Sequence, residues 1–182
     1  MNHVQFTAAE IVRFWTDAGP GRWFKKDAAF DDQFRTRFAA AHDAAASGAL
    51  DDWAHSAEAA LALMILLDQY PRNSFRGTAR MFATDAKALS IAKLAIAQNF
   101  DQASDLALRR FFYLPFMHSE ALVEQDRSLE LYAPIGDEAM RFAVLHRDII
   151  AHFGRFPHRN ALLKRATTVE EQAFLDDGGF AG

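Results

Sequence analysis

Ten polar or ionisable side chains with the makings of a site fall in three short stretches of a largely apolar chain. The first stretch, Leu66-Leu67-Asp68-Gln69-Tyr70-Pro71-Arg72-Asn73, carries Asp68, Gln69, Arg72 and Asn73. The second, Phe153-Gly154-Arg155-Phe156-Pro157-His158-Arg159-Asn160, carries Arg155, His158, Arg159 and Asn160. His118 and Glu120 flank Ser119 in the third. The first two stretches echo each other: each ends an apolar helical run, exits through an aromatic-Pro pair and closes on Arg-Asn.

The chemistry on offer is anion recognition. Arg72, with Arg76 nearby, presents guanidinium forks that match a carboxylate or phosphate, and Asp68, Gln69 and Asn73 could orient it. Helix-end physics offers a competing explanation. Pro71 forbids the helix to continue and turns Tyr70 away from helical geometry. Arg72 and Arg76 then fold back onto orphan carbonyls or onto Asp68, and Asn73 forms a side-chain turn. The second stretch is harder to explain by capping. Arg155, Arg159, Lys164 and Arg165 put four cations into eleven residues, with His158 among them. Cations suit a helix C-terminus, but this is a surplus. If the two echoes meet, several guanidiniums share one site. His118 beside Glu120 has the residues of an acid–base pair; equally, Ser119 caps a helix with Glu120 in its first turn.

Other matches fail. His146-Arg147-Asp148 spells part of a kinase catalytic loop but lies mid-helix, without a Gly-rich loop or Asp-Phe-Gly. There is no phosphate-binding Gly-rich loop, nucleophile elbow or His-Glu-x-x-His pair. His42-Asp43, with His3 and Asp105, makes a poor metal set, because the helix around His42 reads as ordinary and amphipathic and His3 lies near the terminus. No catalytic residue, metal ligand or cofactor is assigned.

The elements that must position these residues are helices. Thr7 with Glu10 forms a capping box before Ile11, Phe14 and Trp15, and Gly19-Pro20-Gly21 stops that helix. Phe30, Phe34 and Phe38 recur on one face of a second helix, with Gly48 at its C-cap. A third runs from Asp52 or Ser56 to Gln69 and is apolar on most sides, hence central. A fourth holds Met81, Phe82, Leu89, Leu94 and Ile96; a fifth, Leu106 to Leu114, is stopped or kinked by Pro115. Ser119 caps a sixth and Asp137 a seventh, whose buried stripe is Phe142, Leu145, Ile149 and Phe153 before the Gly154 stop. Thr168 with Glu171 opens a short last helix. The expectation is one all-α domain over 1–182, of seven to eight antiparallel helices, with 1–5 and 179–182 frayed. The 87 positions between Asn73 and Asn160 are no simple multiple of a roughly 34-residue helical repeat, so no repeat is claimed.

Composition bounds the function. A net charge of -4 argues against a general nucleic-acid binder. The chain has no cysteine, so disulfides and zinc-thiolate sites are out, and a cytoplasmic setting is expected. The N-terminus lacks a signal-peptide pattern, and the longest greasy stretch, Ala57 to Leu67, is too short to span a bilayer. Seventeen Phe and three Trp point to an aromatic core, since no basic stripe accompanies them.

Four stretches together resemble the bacterial domain-of-unknown-function family numbered nine-two-four: the two echoes, Phe75-Arg76-Gly77-Thr78-Ala79-Arg80-Met81-Phe82-Ala83-Thr84-Asp85, and Phe112-Tyr113-Leu114-Pro115-Phe116-Met117-His118-Ser119-Glu120. The resemblance implies a tetratricopeptide-like helical array and no established activity. Ala79 stands where that family often has Pro, and Lys164 where it often has Gly; both bear on local backbone geometry.

The leading expectation is a binding or interaction module whose Arg/His/Asn-lined concavity takes an anionic small molecule or acidic peptide, with no nucleic-acid or membrane partner. One rival is an enzyme in which His118 or His158 works beside Asp68 or Glu120. Another is a structural homo-oligomer joined through exposed aromatics.

Overall fold

The computed structural model describes residues 6–180, and among these every regular element is a helix. The protein is all-α. Its contacts gather into two compact units, although no linker-like composition marks a boundary. The first runs to Arg76 and resumes over Arg80–Pro115; the second comprises Gly77–Ala79 and the chain from Phe116 onward.

In the first unit, α1 (Ala8–Ala18) starts at the Thr7–Glu10 capping box and ends at Gly19. The helix stop read at Gly19-Pro20-Gly21 is a brief pause, because Pro20 sits at the start of a one-turn helix, α2 (Pro20–Trp23), where its missing N–H costs nothing. In α3 (Ala28–Ser47), Asp27 caps the N-terminus and Gly48 closes the C-terminus at φ 92°, where a side chain would be strained. Phe30, Phe34 and Phe38 are buried as their spacing predicts. They join Phe14, Trp15 and Phe111 in a core of stacked and edge-on rings, each full burial contributing roughly 2–3 kcal/mol.

The central helix is α4 (Ala57–Met64), preceded by a 3-10 turn at Asp51–His55. Every residue from Ala60 to Leu67 is buried. It packs against α1 and against α6 (Asp85–Ala97). The core face of α6 is Ala88, Ile91, Ala92 and Ala95, whereas Leu94 is exposed and Met81 and Phe82 belong to a short 3-10 turn before it.

From the first unit the chain enters the second through α7 (Leu106–Met117), which continues past Pro115 rather than stopping there. In the second unit, α8 (Leu122–Tyr132) and α9 (Asp137–Phe153) form a packed pair. Ser119 is not the N-cap of α8; that position is Ala121, whose N–H bonds the Ser119 hydroxyl. Gln125, fully buried, donates its amide to the Met117 and Ser119 carbonyls and so fixes the turn between α7 and α8. α9 ends at Gly154, φ 69°. Last comes α10 (Val169–Asp176), opened by the Thr168–Glu171 capping box. Among the described residues no helix is long and apolar enough to cross a membrane. Residues 1–5, 181 and 182 lie outside the described residues, but Phe180, read as frayed, packs on the Ile149, Ile150 and Phe156 core.

Candidate functional site

The first echo lies in the first unit and the second in the second unit, so each is described by itself. At the first, the helix does not end at Pro71. Ile65–Gln69 form a π turn, Tyr70 is helical (φ -53°, ψ -48°), and α5 (Tyr70–Ser74) continues through Pro71. The wider turn resolves the conflict that proline creates in a regular helix. Tyr70 N–H bonds back to the Ile65 carbonyl, five residues earlier. That leaves the Leu66 and Leu67 carbonyls without their usual donors, the second because Pro71 has no N–H. Side chains take them: His42 Nδ1 donates to Leu66 O at 2.9 Å, and the Thr84 hydroxyl to Leu67 O. Arg72 donates to Asp68 O at 3.0 Å.

The polar residues of this echo are all engaged. Arg72 grips Asp85 with both terminal nitrogens, at 2.8 and 3.0 Å, and lies 3.3 Å from the Asp68 carboxylate. Gln69 donates to Asp68 at 2.6 Å. Asn73 donates to Asp31, which also receives Arg76. Asp68, Gln69 and Asn73 are buried. Burial opposes the Arg72 charge, but Asp68 and Asp85 outweigh it and raise its pKa. His42 stacks on Tyr70 at 4.6 Å, and burial holds its pKa below the usual imidazole value. His42 therefore serves the π turn; His3 lies outside the described residues, and among these no group of three His, Asp or Glu is placed to hold a metal.

The second echo divides into two sets. One is a chain of ion pairs that ties three segments together. Glu120 accepts from the Phe156 N–H at 2.9 Å and from Arg165 at 2.7 and 3.0 Å. Arg165 also reaches Asn160 Oδ1 at 3.0 Å and the Phe156 carbonyl. Asn160 passes the network to Glu171 at 3.2 Å, and Glu171 is held by both nitrogens of Arg155 at 2.5 and 2.7 Å. Glu171 also closes the capping box by accepting from the Thr168 N–H. Arg155 above all, then that N–H and Asn160, lower its pKa to about 2. Burial raises the Glu120 pKa, but Arg165, the Phe156 N–H and Arg159 together bring it below the ordinary value. Lys164, where the resembling family often has Gly, adopts a left-handed φ of 55° in the turn that presents Arg165.

The other set gathers imidazoles around a guanidinium. Arg159, buried, donates to the His118 carbonyl at 3.0 Å and lies over the Phe156 ring at 4.4 Å. His118 comes from the end of α7, His158 from the turn after Phe156-Pro157, and His146 from the middle of α9. The His118 and His146 rings are 6.4 Å apart. Phe156 is edge-on to His146 at 5.5 Å and 5.6 Å from His158. Phe180 is 4.6 Å from His146 and 5.2 Å from His158, so an aromatic wall joins the two imidazoles. Burial, with the positive field of His118, Arg159 and His158, drives the His146 pKa down to about 3. Its Nδ1 lies 2.8 Å from the Phe142 carbonyl, so Nδ1 carries the proton and Nε2 is left as an acceptor.

His146 is the residue that sequence reasoning missed. The expected buried stripe of α9 began with Phe142 and Leu145, yet these are 52% and 40% exposed, and the buried face is Ala143, His146, Ile149 and Ile150. Helical spacing of His146 with Ala143, Ile149 and Ile150 was the available signal. Asp31, Asp85 and Glu171 were likewise unread as partners because each lies far along the chain from the cation it holds.

The comparisons agree with this fold. A solved protein of unknown function from Agrobacterium tumefaciens is 54% identical, superposes with a TM-score of 0.92, and the match covers 94% of this chain and 97% of that one. Among curated proteins nothing matches the chain. The family model for bacterial proteins of unknown function DUF924 matches residues 11–179, and the chain belongs to that family.

Proposed function

We propose that this protein is a binding module whose second unit takes an anionic group, a peptide carboxylate or a phosphate, at the cluster of His118, His146, His158 and Arg159. The observation that carries the reading is the gathering of three imidazoles from three separate segments about one buried guanidinium. Of the nearby carboxylates, Glu171 is held by Arg155, and Glu120 binds Arg165 and also acts on Arg159. A guanidinium and imidazoles gathered at a half-buried place offer an anion several hydrogen-bond donors at once. Burial first, and then the neighbouring His118, Arg159 and His158, hold the His146 pKa low. An anion beside it would raise that pKa, so binding and proton uptake support each other, and affinity rises as pH falls toward the acid range.

The first echo offers less to a ligand, since Arg72 and Arg76 are already spent on Asp85, Asp68 and Asp31. The test is a thermal-shift titration with phosphate and with a short acidic peptide, on wild type, Arg159→Gln and His158→Gln. The expected result is a ligand-dependent rise in Tm for wild type that both variants lose. An equal rise in all three proteins would refute the reading.

A further inference from the structure

We propose a second ligand site, in the first unit, for a small polyanion carrying at least two carboxylate or phosphate groups. A cleft of about 340 Å³ opens there between α1, α2 and α3, within the size range of small-molecule sites. Three guanidiniums line it, one from each helix: Arg13, Arg22 and Arg37. Its floor is the stacked pair Phe14 and Phe30, whose ring centroids are 5.3 Å apart with planes inclined by 10°.

The charges on this cleft are unbalanced. Two carboxylates share it, Glu10 and Asp17. Glu10 accepts from the Thr7 N–H at 2.8 Å and the Thr7 hydroxyl at 3.1 Å in the cap of α1 and also acts on Arg37 and Arg13, so the guanidiniums exceed the carboxylates by one. Arg37 is also pre-positioned. Its guanidinium lies over the Phe38 and Phe14 rings, 5.1 and 5.6 Å from their centroids, which restrains a side chain that would otherwise lose entropy on binding. One carboxylate satisfies one guanidinium fork, so three forks about one opening suit a ligand with several anionic groups. An open cleft of this volume suits a small molecule rather than an element of a folded partner. The site shares no residue with the histidine cluster, and neither proposal depends on the other.

The test is isothermal titration of the full chain with pyrophosphate and, separately, with citrate. The proteins are wild type, the Arg13→Gln/Arg22→Gln double variant and His158→Gln. Arg13 and Arg22 are exposed, so the double variant should keep its fold, checked by an unchanged thermal melt. Wild type is expected to bind at least one probe; the double variant loses the first-unit binding event or weakens it by roughly tenfold or more, while His158→Gln loses only what the histidine cluster contributes and keeps that event. Pyrophosphate alone binding would assign phosphate chemistry, and citrate alone carboxylate chemistry. Binding undiminished in the double variant, or no binding of either probe to wild type at millimolar concentration, would overturn the site. Loss of binding in His158→Gln with none in the double variant would move the polyanion to the second unit and likewise overturn it.

Discussion

The two echoes use nearly the same residues for different ends. In Tyr70-Pro71-Arg72-Asn73, the proline sits inside a helix that widens to admit it, and the polar side chains repair the backbone. His42 and Thr84 each take one displaced carbonyl, Arg72 bonds the Asp68 carbonyl, and Asp68 and Asp85 neutralise the arginine. In Phe156-Pro157-His158-Arg159-Asn160, the chain has already left α9 at Gly154, so there are no carbonyls of that kind to repair. Arg155 and Asn160 bind Glu171, while His158 and Arg159 turn toward His118 and His146. A shared motif therefore does not imply a shared role. The first set serves a proline held inside a helix, and the second joins segments beyond a helix end.

Breaking the first echo should cost the most. Arg72→Ala leaves Asp68, 1% exposed, without its cation and uncaps its own helix, a loss of about 3–5 kcal/mol by denaturant melting. Arg159→Gln should cost less, about 1–3 kcal/mol, because it removes a hydrogen bond to the His118 carbonyl and the guanidinium over Phe156 without leaving a fully buried carboxylate behind. If the two variants were equally destabilised, the contrast between the echoes would fail.

Acid should sharpen the contrast. His146 has a folded-state pKa of about 3, below the ordinary 6.5. Its contribution to stability is fully present above pH 6.5 and is lost as pH falls through the folded value, amounting to about 5 kcal/mol across that window. Glu171, lowered to about 2, adds a second loss below the ordinary glutamate range, in the same direction. His146→Gln should flatten the profile between pH 6.5 and 3 and leave the lower limb in place, as read by melts at stepped pH.

Smaller effects mark the edges of the second unit. Thr168→Ala removes the capping hydroxyl of α10 and should cost about 1 kcal/mol. Lys164→Gly should stabilise by roughly 0.5–1 kcal/mol, since φ 55° is costly for lysine and free for glycine, less the entropy that glycine adds to the unfolded chain.

Local signals in the sequence were reliable where local physics decides. Both capping boxes, the Gly48 and Gly154 helix ends, the Phe30–Phe34–Phe38 face and the buried run through Leu67 all appear where short-range pattern placed them. The failures arose where a distant partner overrode the pattern. Pro71 reads as a stop, and only Thr84, His42 and the π turn make it tolerable inside a helix. The most apolar face of α9 holds Phe142 and Leu145, yet packing turned His146 inward. Of the candidate residues, the surplus of charge about Arg155 to Arg165 was legible, but not which of those cations Glu120 and Glu171 would claim.

The most direct measurement is a phosphate titration followed through the imidazole nitrogen and proton resonances of the histidines. The account predicts concentration-dependent shifts at His118, His146 and His158, with a downfield, protonation-type change at His146, and no response at His42 in the π turn. Silent resonances at the three clustered histidines, or shifts confined to His42, would contradict it.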